Sequence, residues 1–172
     1  MAYVFDTPTA ADVEQLAALK TDTFSDAFAP ENDPAELAAH VERAFSVQAI
    51  SAQLSDPYCD TTWVLDGTEP VGYMKLNRGP AQTVPGLDAG LELEQIYIKR
   101  SHHGLGLGGR LMDLAIQAAR RESLGFLWLG VWERNVKAIS MYLHCGFRVF
   151  GDHVFMFGRD PQTDLLMRLD LD

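Results

Sequence analysis

The chain of 172 residues has few cysteines, few basic side chains and no long apolar run. Its two cysteines, Cys59 and Cys145, are too few for the disulfide framework of a small secreted domain, and neither has a metal-ligand neighbour at a recognisable spacing. No apolar stretch reaches the roughly 18 residues of a membrane span, and the first residues lack the basic and apolar regions of a secretion signal. We therefore expect a cytoplasmic protein without a membrane segment.

The charge balance is strongly acidic, because 14 Lys and Arg stand against 24 Asp and Glu, a net charge of −10 at pH 7. This balance argues against nucleic acids and anionic membrane surfaces, which attract clustered Lys and Arg. It leaves cationic small molecules as the electrostatically favoured partners. With 47% hydrophobic residues the chain can bury a sizeable core, and its length indicates a single domain over residues 1–172.

Hydrophobic periodicity predicts the order of secondary structure along the chain. The predicted elements are an edge strand at 3–5, a helix at 10–28, a second helix from 34 toward 54 with a break near Ser46, a hairpin at 62–76, a strand at 91–98, a helix at 107–123, a strand at 126–131, a helix at 135–145, and a hairpin formed by 147–157 and 164–171. Thr9 and Asp12 have capping-box spacing. The stretch 79–90 reads as a loop long enough to carry function.

This order predicts a mixed-sheet α/β fold rather than a doubly wound one. One parallel βαβ unit links the strand at 91–98 through the helix at 107–123 to the strand at 126–131. We expect Gly125 to end that helix, Gly146 to end the next helix, and residues 158–161 to form the turn of the last hairpin.

A glycine-rich turn lies inside the βαβ unit. It consists of His103, Gly104, Leu105, Gly106, Leu107, Gly108, Gly109 and Arg110. Glycines permit a sharp turn and a close approach of backbone N–H groups to a phosphate, and the unpaired N–H groups of a helix N-terminus favour negative charge. The turn therefore indicates a pyrophosphate cradle, with a plain tight turn as the alternative.

Two other phosphate-binding motifs fit this turn poorly. A Rossmann site needs an acidic residue about 20 positions further on, at the end of a second strand. Here the next strand ends at Glu133, which is too late. A Walker A loop needs Lys and then Ser or Thr after its last glycine, whereas Gly109 is followed by Arg110 and Leu111.

Two blocks of residues resemble the GCN5-related N-acetyltransferase (GNAT) superfamily. The first matches Gln/Arg-x-x-Gly-x-Gly/Ala, with His103 in the first position and Gly106 and Gly108 in the glycine positions. The second follows after one strand and contains Asn135, Ala138, Tyr142, Gly146 and Phe147. The segments 93–98, 128–133 and 158–164 look, in addition, like those of PaiA-like spermidine/spermine acetyltransferases.

The resemblance implies a GNAT-like fold, a mostly antiparallel central sheet flanked by helices with the parallel βαβ unit around the CoA pyrophosphate loop. It implies acetyl-CoA as cosubstrate, a primary amine as acceptor, and no metal. Tyr142 would then protonate the departing CoA thiolate, and Asn135 would cap its helix and contact the pantetheine arm. Ile96, Tyr97 and Ile98 would line the cofactor, where the N–H of Ile96 or Tyr97 polarises the thioester oxygen.

Glu94 and Glu92 are the candidate general bases. An alkylamine has a pKa near that of lysine, about 10.4, so it arrives protonated and must lose a proton before it attacks a thioester. Strand alternation places Glu92 and Glu94 on one face, followed on that face by Ile96 and Ile98, and this change from polar to apolar suits a strand splayed by a bulge. We favour Glu94, acting directly or through water, over Glu92. The alternative is that either is an exposed carboxylate on a strand face.

Several other residues have both a structural and a functional interpretation. His102 and His103 are expected to be loop histidines, because no third metal ligand is evident. Cys145 is expected to pack rather than react. The acidic residues of the first helix and the loop after it are either acceptor-binding carboxylates or a solvated face, namely Asp22, Asp26, Glu31 and Asp33.

Three functions fit these features. The first is acetyl-CoA-dependent N-acetylation of a small cationic amine, such as the polyamines spermidine and spermine. The second is N-acetylation of an amino acid or of a protein or peptide N-terminus. The third is a CoA-binding sensor without turnover, against which Tyr142 and the two carboxylates argue. The fold class is also compatible with a homodimer formed through sheet edges.

Overall fold

Seven strands form one mixed sheet in the computed structural model, which describes residues 2–172. The strands are β1 (Tyr3–Asp6), β2 (Cys59–Asp66), β3 (Glu69–Asn77), β4 (Gly90–Ile98), β5 (Phe126–Trp132), β6 (Arg148–Phe157) and β7 (Asp160–Asp170). They lie in the order β1-β2-β3-β4-β5-β7-β6, and every neighbouring pair is antiparallel except β4 and β5. The predicted mixed sheet with one parallel unit is confirmed.

Five α-helices cover the two faces of this sheet. They are α1 (Val13–Phe28), α2 (Pro34–Ala44), α3 (Val47–Ser55), α4 (Leu107–Arg121) and α5 (Val136–His144). The first three pack on one face around Leu16, Ile50 and Tyr73, and the other two pack on the opposite face around Leu111 and Tyr142. Burial of one large apolar side chain stabilises a fold by about 1.5–3 kcal/mol, so these two layers hold the sheet in place. None of the helices in residues 2–172 is both long and apolar enough to cross a bilayer.

The helix starts follow their capping residues. Thr9 and Asp12 form the predicted capping box, which opens a short 3-10 turn ahead of α1. Asp33 caps α2 and Ser46 caps α3, so the long second helix breaks where the sequence predicts. Asn135 caps α5, because its side-chain oxygen accepts the N–H of the residue three positions on at 3.2 Å.

Two predicted chain reversals are wrong, and a third is confirmed. α4 ends at Arg121, and Ser123 rather than Gly125 takes the left-handed conformation, with φ of +55°. This Schellman-type closure needs one left-handed residue, and serine supplies it here. The last hairpin turns through Gly158 and the residue after it alone, because β7 already begins at the next position. Gly146 ends α5 with φ of +96°, as predicted.

β4 and β5 diverge soon after they meet. They pair only at Gly90–Phe126, Leu91–Leu127 and Glu92–Trp128. Beyond Glu92 the edge of β4 that faces β5 has no strand partner, while β5 continues beside β7 as far as Trp132. The two strands therefore open a gap at their carboxyl ends, which we call the β4–β5 wedge.

Candidate active site

A β-bulge interrupts β4 at the start of the wedge, as the sequence predicts. Leu76 of β3 pairs with Leu93, and Lys75 pairs with Gln95, so Glu94 is an extra residue that has no partner across the ladder. A bulge bends its strand and increases the local twist. The bulge at Glu94 is therefore a cause of the divergence between β4 and β5.

The bulge also changes which residues share a face. Leu91 and Leu93, on either side of Glu92, pack in the core on the α4 side of the sheet. Ile96 and Ile98 pack in that same core. The expectation that Ile96 and Ile98 share a face with Glu92 is therefore wrong, because one inserted residue shifts the two-residue alternation of a strand.

Glu92 and Glu94 meet at the amide of Asn77. Its Nδ2 donates to Glu92 Oε2 at 3.1 Å and to Glu94 Oε2 at 2.6 Å. Glu92 is 2% exposed and also accepts the Thr83 N–H at 2.8 Å and the Thr83 hydroxyl. Burial raises the pKa of Glu92, and the hydrogen bonds from Thr83 and Asn77 oppose that shift. Glu94, with a side chain 24% exposed and 2.5 Å from Lys75, is the more accessible carboxylate.

Tyr97 of β4 lies beside the wedge, near other side chains that can lose a proton. Burial raises the pKa of its phenol, and the neighbouring Tyr142, Asp164 and Glu94 act in the same direction. These three groups come from α5, β7 and the bulge of β4, so the structure brings distant parts of the chain together here. Of the predicted catalytic residues, Tyr142 and Glu94 therefore lie around one aromatic ring.

Tyr142 is a buried phenol at this site. It is 8% exposed, and its ring centroid lies 5.7 Å from that of Phe147. Burial raises the pKa of Tyr142 to about 12, so the hydroxyl keeps its proton at neutral pH. Burial also raises the pKa of Asp164, while His153, at 3.8 Å, lowers it. Burial therefore acts in the same direction on this phenol and on this carboxyl, toward the protonated form.

The glycine-rich turn presents a row of free backbone donors. Within residues 2–172, the N–H groups from Gly104 through Gly109 donate no hydrogen bond of standard geometry, whereas the N–H of Arg110 bonds the Gly106 carbonyl at 3.1 Å. Gly104 and Gly106 have φ of +78° and +76°, and a Cβ on Gly108 or Gly109 would meet nothing within 4 Å. This open row of donors at the start of α4 fits a diphosphate.

Side chains around the turn are engaged in holding it. His103 Nε2 lies 2.7 Å from the Ile98 carbonyl, and His102 Nε2 lies 3.3 Å from Asp66. The Arg110 guanidinium lies 4.2 Å above an aromatic ring of β1. Across residues 2–172, no group of three or more His, Cys, Asp and Glu side chains is arranged to hold a metal ion.

An aromatic bridge covers the wedge on the side of α1. The Phe28 ring centroid lies 6.5 Å from that of Tyr97 on β4 and 6.1 Å from that of Trp132 on β5. Because these rings span the two diverging strands, an acceptor that enters from this side must pass beside them.

An acidic cleft opens beside Trp132, where β5 ends. It has a volume of about 120 Å³, and its lining residues include Glu31, Glu133 and Asp160 together with Arg134. We call this space the acidic cleft. Its three carboxylates outnumber its one cation, so its local charge favours a cationic ligand.

The other predicted acidic residues lie elsewhere. Asp22 and Asp26 line a wider groove of about 330 Å³ together with Lys99 and Arg100. Arg100 donates to the Asp26 carbonyl at 2.8 Å, which ties α1 to the turn after β4. Asp33 accepts the first N–H groups of α2, so its role is structural.

The two cysteines differ in environment. Cys145 is exposed at the end of α5, so the expectation that it packs is wrong; the helix ends there and its side chain lies at the surface. Cys59 is half-buried, with Sγ 3.3 Å from the Asn77 side-chain oxygen. Burial raises the pKa of the Cys59 thiol to about 11, which makes it a poor nucleophile at neutral pH.

The sequence of this chain is similar to that of a known enzyme family. Residues 14–147 match the Acetyltransferase (GNAT) family. The chain belongs to the GNAT family. An uncharacterised N-acetyltransferase of Lactobacillus delbrueckii subsp. lactis is 34% identical over 157 residues, which cover 91% of each chain. An uncharacterised N-acetyltransferase of Mycobacterium tuberculosis is 29% identical over 160 residues, 93% of this chain and 98% of the relative.

A solved GNAT structure matches the whole fold. PaiA N-acetyltransferase from Thermoplasma acidophilum, in complex with coenzyme A, has a TM-score of 0.83 at 15% identity and covers 99% of this chain and 100% of its own. At this identity the likeness concerns the fold. It extends over nearly the whole of the sheet and the helices described above.

As a GNAT enzyme, the protein is an N-acetyltransferase with acetyl-CoA as its cosubstrate. Two features of this chain fit that cosubstrate. The N–H groups from Gly104 through Gly109 suit its diphosphate, and the unpaired edge of β4 beyond Glu92 offers backbone groups to its amide-containing arm.

Sequence reasoning missed several members of this GNAT site. Asn77 and Thr83 contact the predicted residues, and no local pattern marks them. Asp164, which raises the pKa of Tyr97, ends the segment 158–164 noted above but was assigned no role. Thr83 lies in the loop that was expected to carry function because of its length. Lys20 could have been noticed, because it falls on the same helical stripe as Leu16 and other buried residues of α1.

Proposed function

We propose that this GNAT enzyme transfers the acetyl group of acetyl-CoA directly to a primary amine of a small cationic acceptor, such as a polyamine. The observation that carries the proposal is the acidic cleft, which places Glu31, Glu133 and Asp160 beside Trp132 at the end of the wedge. A second ammonium group of the acceptor would lie there, while the reacting amine enters the wedge. The net charge of −10 attracts such a molecule as a whole. The activity belongs to one domain that spans residues 1–172.

Glu94 is the base in this proposal. It is more exposed than Glu92, and its side chain is held by Asn77 and Lys75 at the start of the wedge. Glu94 removes a proton from the acceptor ammonium, directly or through water, and the free amine can then attack. Glu92 already accepts three hydrogen bonds from Asn77 and Thr83. It therefore fixes the side-chain amide of Asn77, which in turn orients Glu94.

Acetyl-CoA supplies a thioester whose carbonyl carbon an amine attacks. The glycine-rich turn holds the diphosphate through the N–H groups of Gly104 to Gly109, since the N–H of His103, predicted to join them, donates to the Arg100 carbonyl at 3.2 Å. Asn135 contacts the arm of the cosubstrate. The backbone of Ile96, Tyr97 and Ile98 lies along the wedge, where the N–H of Ile96 or Tyr97 donates to the thioester oxygen. Tyr142 donates its proton to the sulfur as the C–S bond breaks, and the nitrogen loses its second proton to water as the amide forms, so that Tyr142 regains a proton from water.

A second acceptor class is favoured by Arg134, whose guanidinium lines the same cleft. A guanidinium binds a carboxylate well, so a free amino acid or a peptide is the competing acceptor. CoA binding without turnover on any amine would support the sensor interpretation instead.

An acceptor panel tests these alternatives. We expect CoA thiol release with spermidine and spermine to exceed release with free amino acids and peptides. In Glu133→Gln/Asp160→Asn, KM for spermidine should rise about fivefold, because exposed charge pairs each contribute modestly. Asp113→Asn is the matched control, since it removes an exposed carboxylate of α4 outside the cleft, and it should change KM less than twofold. A preference for amino acids, or equal effects of the cleft and control variants, would contradict the proposal.

A further inference from the structure

Lys20, in the middle of α1, is a fully buried lysine, with 0% exposure. Its Nζ donates to Gln53 Oε1 of α3 and to Gln95 Oε1 of β4, each at 2.8 Å, and lies 4.9 Å from the ring centroid of Tyr73. Within residues 2–172, no carboxylate lies within ion-pair distance of it. Removing an ammonium from water is unfavourable when only neutral partners replace the solvent, so a lysine at this position calls for a reason beyond packing.

The position of Gln95 gives that reason. Gln95 is the first residue after Glu94, the extra residue of the bulge, and it pairs with Lys75 across the ladder. The direction of a bulged side chain depends on where the backbone on each side of it is held. The hydrogen bond from Lys20 holds one of those sides to α1.

Charge links the same residues. Burial lowers the pKa of Lys20 to about 7; the positive charge of Lys75 acts in the same direction, and Glu94 and Cys59 act in the opposite direction. Lys20 and Glu94 therefore influence each other through space, with Lys75 on β3 and Cys59 on β2 as the other titratable neighbours. Glu94 is thus flanked by two lysines, one in direct contact and one buried behind Gln95.

We propose that Lys20 is a positioning residue for acetyl transfer, which fixes the bulge of β4 through Gln95 so that the Glu94 carboxylate is directed to Asn77 and the wedge. This inference rests on the assignment of Glu94 as the base. It adds no contact with substrate, because Lys20 acts only through Gln95 and through its charge.

A double-mutant cycle tests the positioning. We expect Lys20→Met and Gln95→Met each to lower kcat about tenfold, and the double variant to lower it by the same factor rather than by the product, because both remove one interaction. KM for acetyl-CoA should change less than twofold. Gln53→Met is the matched control, since it removes the other acceptor of Lys20 without touching β4, and it should keep kcat within twofold of the wild type.

A pH profile separates positioning from a loss of stability. The pKa of Lys20 is about 7, so the wild-type pH profile of kcat/KM should change near pH 7, where this buried lysine loses its charge, and Lys20→Met should lack that change. Gln95→Met and Gln53→Met keep Lys20 and should keep the change near pH 7. If Lys20→Met does not fold, Gln95→Met alone tests the proposal. A lower kcat of Gln95→Met with an unchanged melting temperature would support it.

The outcomes for Lys20 and for Glu94 are distinguishable. Glu94→Gln with wild-type turnover would refute the assigned base, whatever Lys20 does. If Glu94→Gln is inactive while Lys20→Met keeps the wild-type kcat and pH profile, only the role of Lys20 is refuted. Additive losses in the cycle would refute it too.

Discussion

Tyr142 and Glu94 lie in different environments, and their proposed roles follow from that difference. Tyr142 is buried, and its pKa of about 12 keeps the phenol protonated. Glu94 is more open, with a side chain 24% exposed, and its carboxylate contacts the Lys75 ammonium at 2.5 Å. One group can therefore give a proton and the other can accept one at the same pH, as an acyl transfer between sulfur and nitrogen requires.

Replacing Tyr142 tests the donor. A phenol is a weaker acid than a thiol, so its proton moves only as charge appears on the sulfur, and its removal affects turnover rather than binding. We expect Tyr142→Phe to lower kcat about 100-fold, within the range of general acid catalysis. The Kd for CoA, measured by calorimetry, should change less than twofold. Tyr58→Phe is the control, because Tyr58 is an exposed tyrosine away from the wedge. Unchanged turnover in Tyr142→Phe would remove it from the mechanism.

Within the βαβ element, the turn before α4 offers backbone groups rather than side chains for binding a diphosphate. The ring of His103 is occupied by the Ile98 carbonyl, and the guanidinium of Arg110 packs on β1. The free N–H groups between Gly104 and Gly109 remain. A substitution there should therefore act through backbone conformation.

Gly106 and Gly67 form a matched pair for this prediction. Both have a left-handed backbone, with φ of +76° and +62°, and an added Cβ on either would meet nothing within 4 Å. Alanine at either position should lower the free energy of unfolding by about 1 kcal/mol, because an L-residue is strained there. Only Gly106→Ala should weaken CoA binding, about tenfold, since Gly67 lies in the turn between β2 and β3. Equal CoA affinity in both variants would show that the turn does not hold the diphosphate.

At the scale of the whole molecule, the net charge of −10 should act oppositely on acetyl-CoA and on the proposed cationic acceptor. Such a field attracts a cation and repels the anionic acetyl-CoA, whose binding we attribute to the local donors of the turn. Salt screens both effects, because the Debye length shortens as ionic strength rises.

The salt dependence of the two specificity constants tests this view. Between about 0.05 and 0.3 M NaCl, kcat/KM for spermidine should fall severalfold, whereas kcat/KM for acetyl-CoA should stay level or rise. Circular dichroism across the same range serves as the control for folding. A parallel fall in both constants would point to a general effect of salt on the enzyme rather than to the field of its charges.

The predictions of secondary structure from the local sequence were mostly correct. They failed at positions where several residue types can adopt the required backbone conformation. Asn135 caps its helix as predicted, and Asp33 and Ser46 cap the helices on either side of the predicted break, because a cap depends on neighbouring residues only. Ser123 took the left-handed place expected of Gly125, because one left-handed residue completes the closure whatever its type. A bulge was expected from the change from polar Glu92 and Glu94 to apolar Ile96, but its effect on the face of Ile96 was not, since alternation assumes an uninterrupted strand.

The sequence by itself determined the parts of the site that are contiguous in the chain. The turn from His103 to Arg110 uses consecutive backbone groups, so its spacing alone indicates a phosphate-binding loop. The surroundings of Glu94 and Tyr97 were decided by tertiary structure, because Asn77 contacts Glu94, Lys20 contacts the neighbouring Gln95, and Asp164 affects Tyr97, each from a separate element. Their contacts depend on strand register and helix packing, which one residue inserted at the bulge is enough to change.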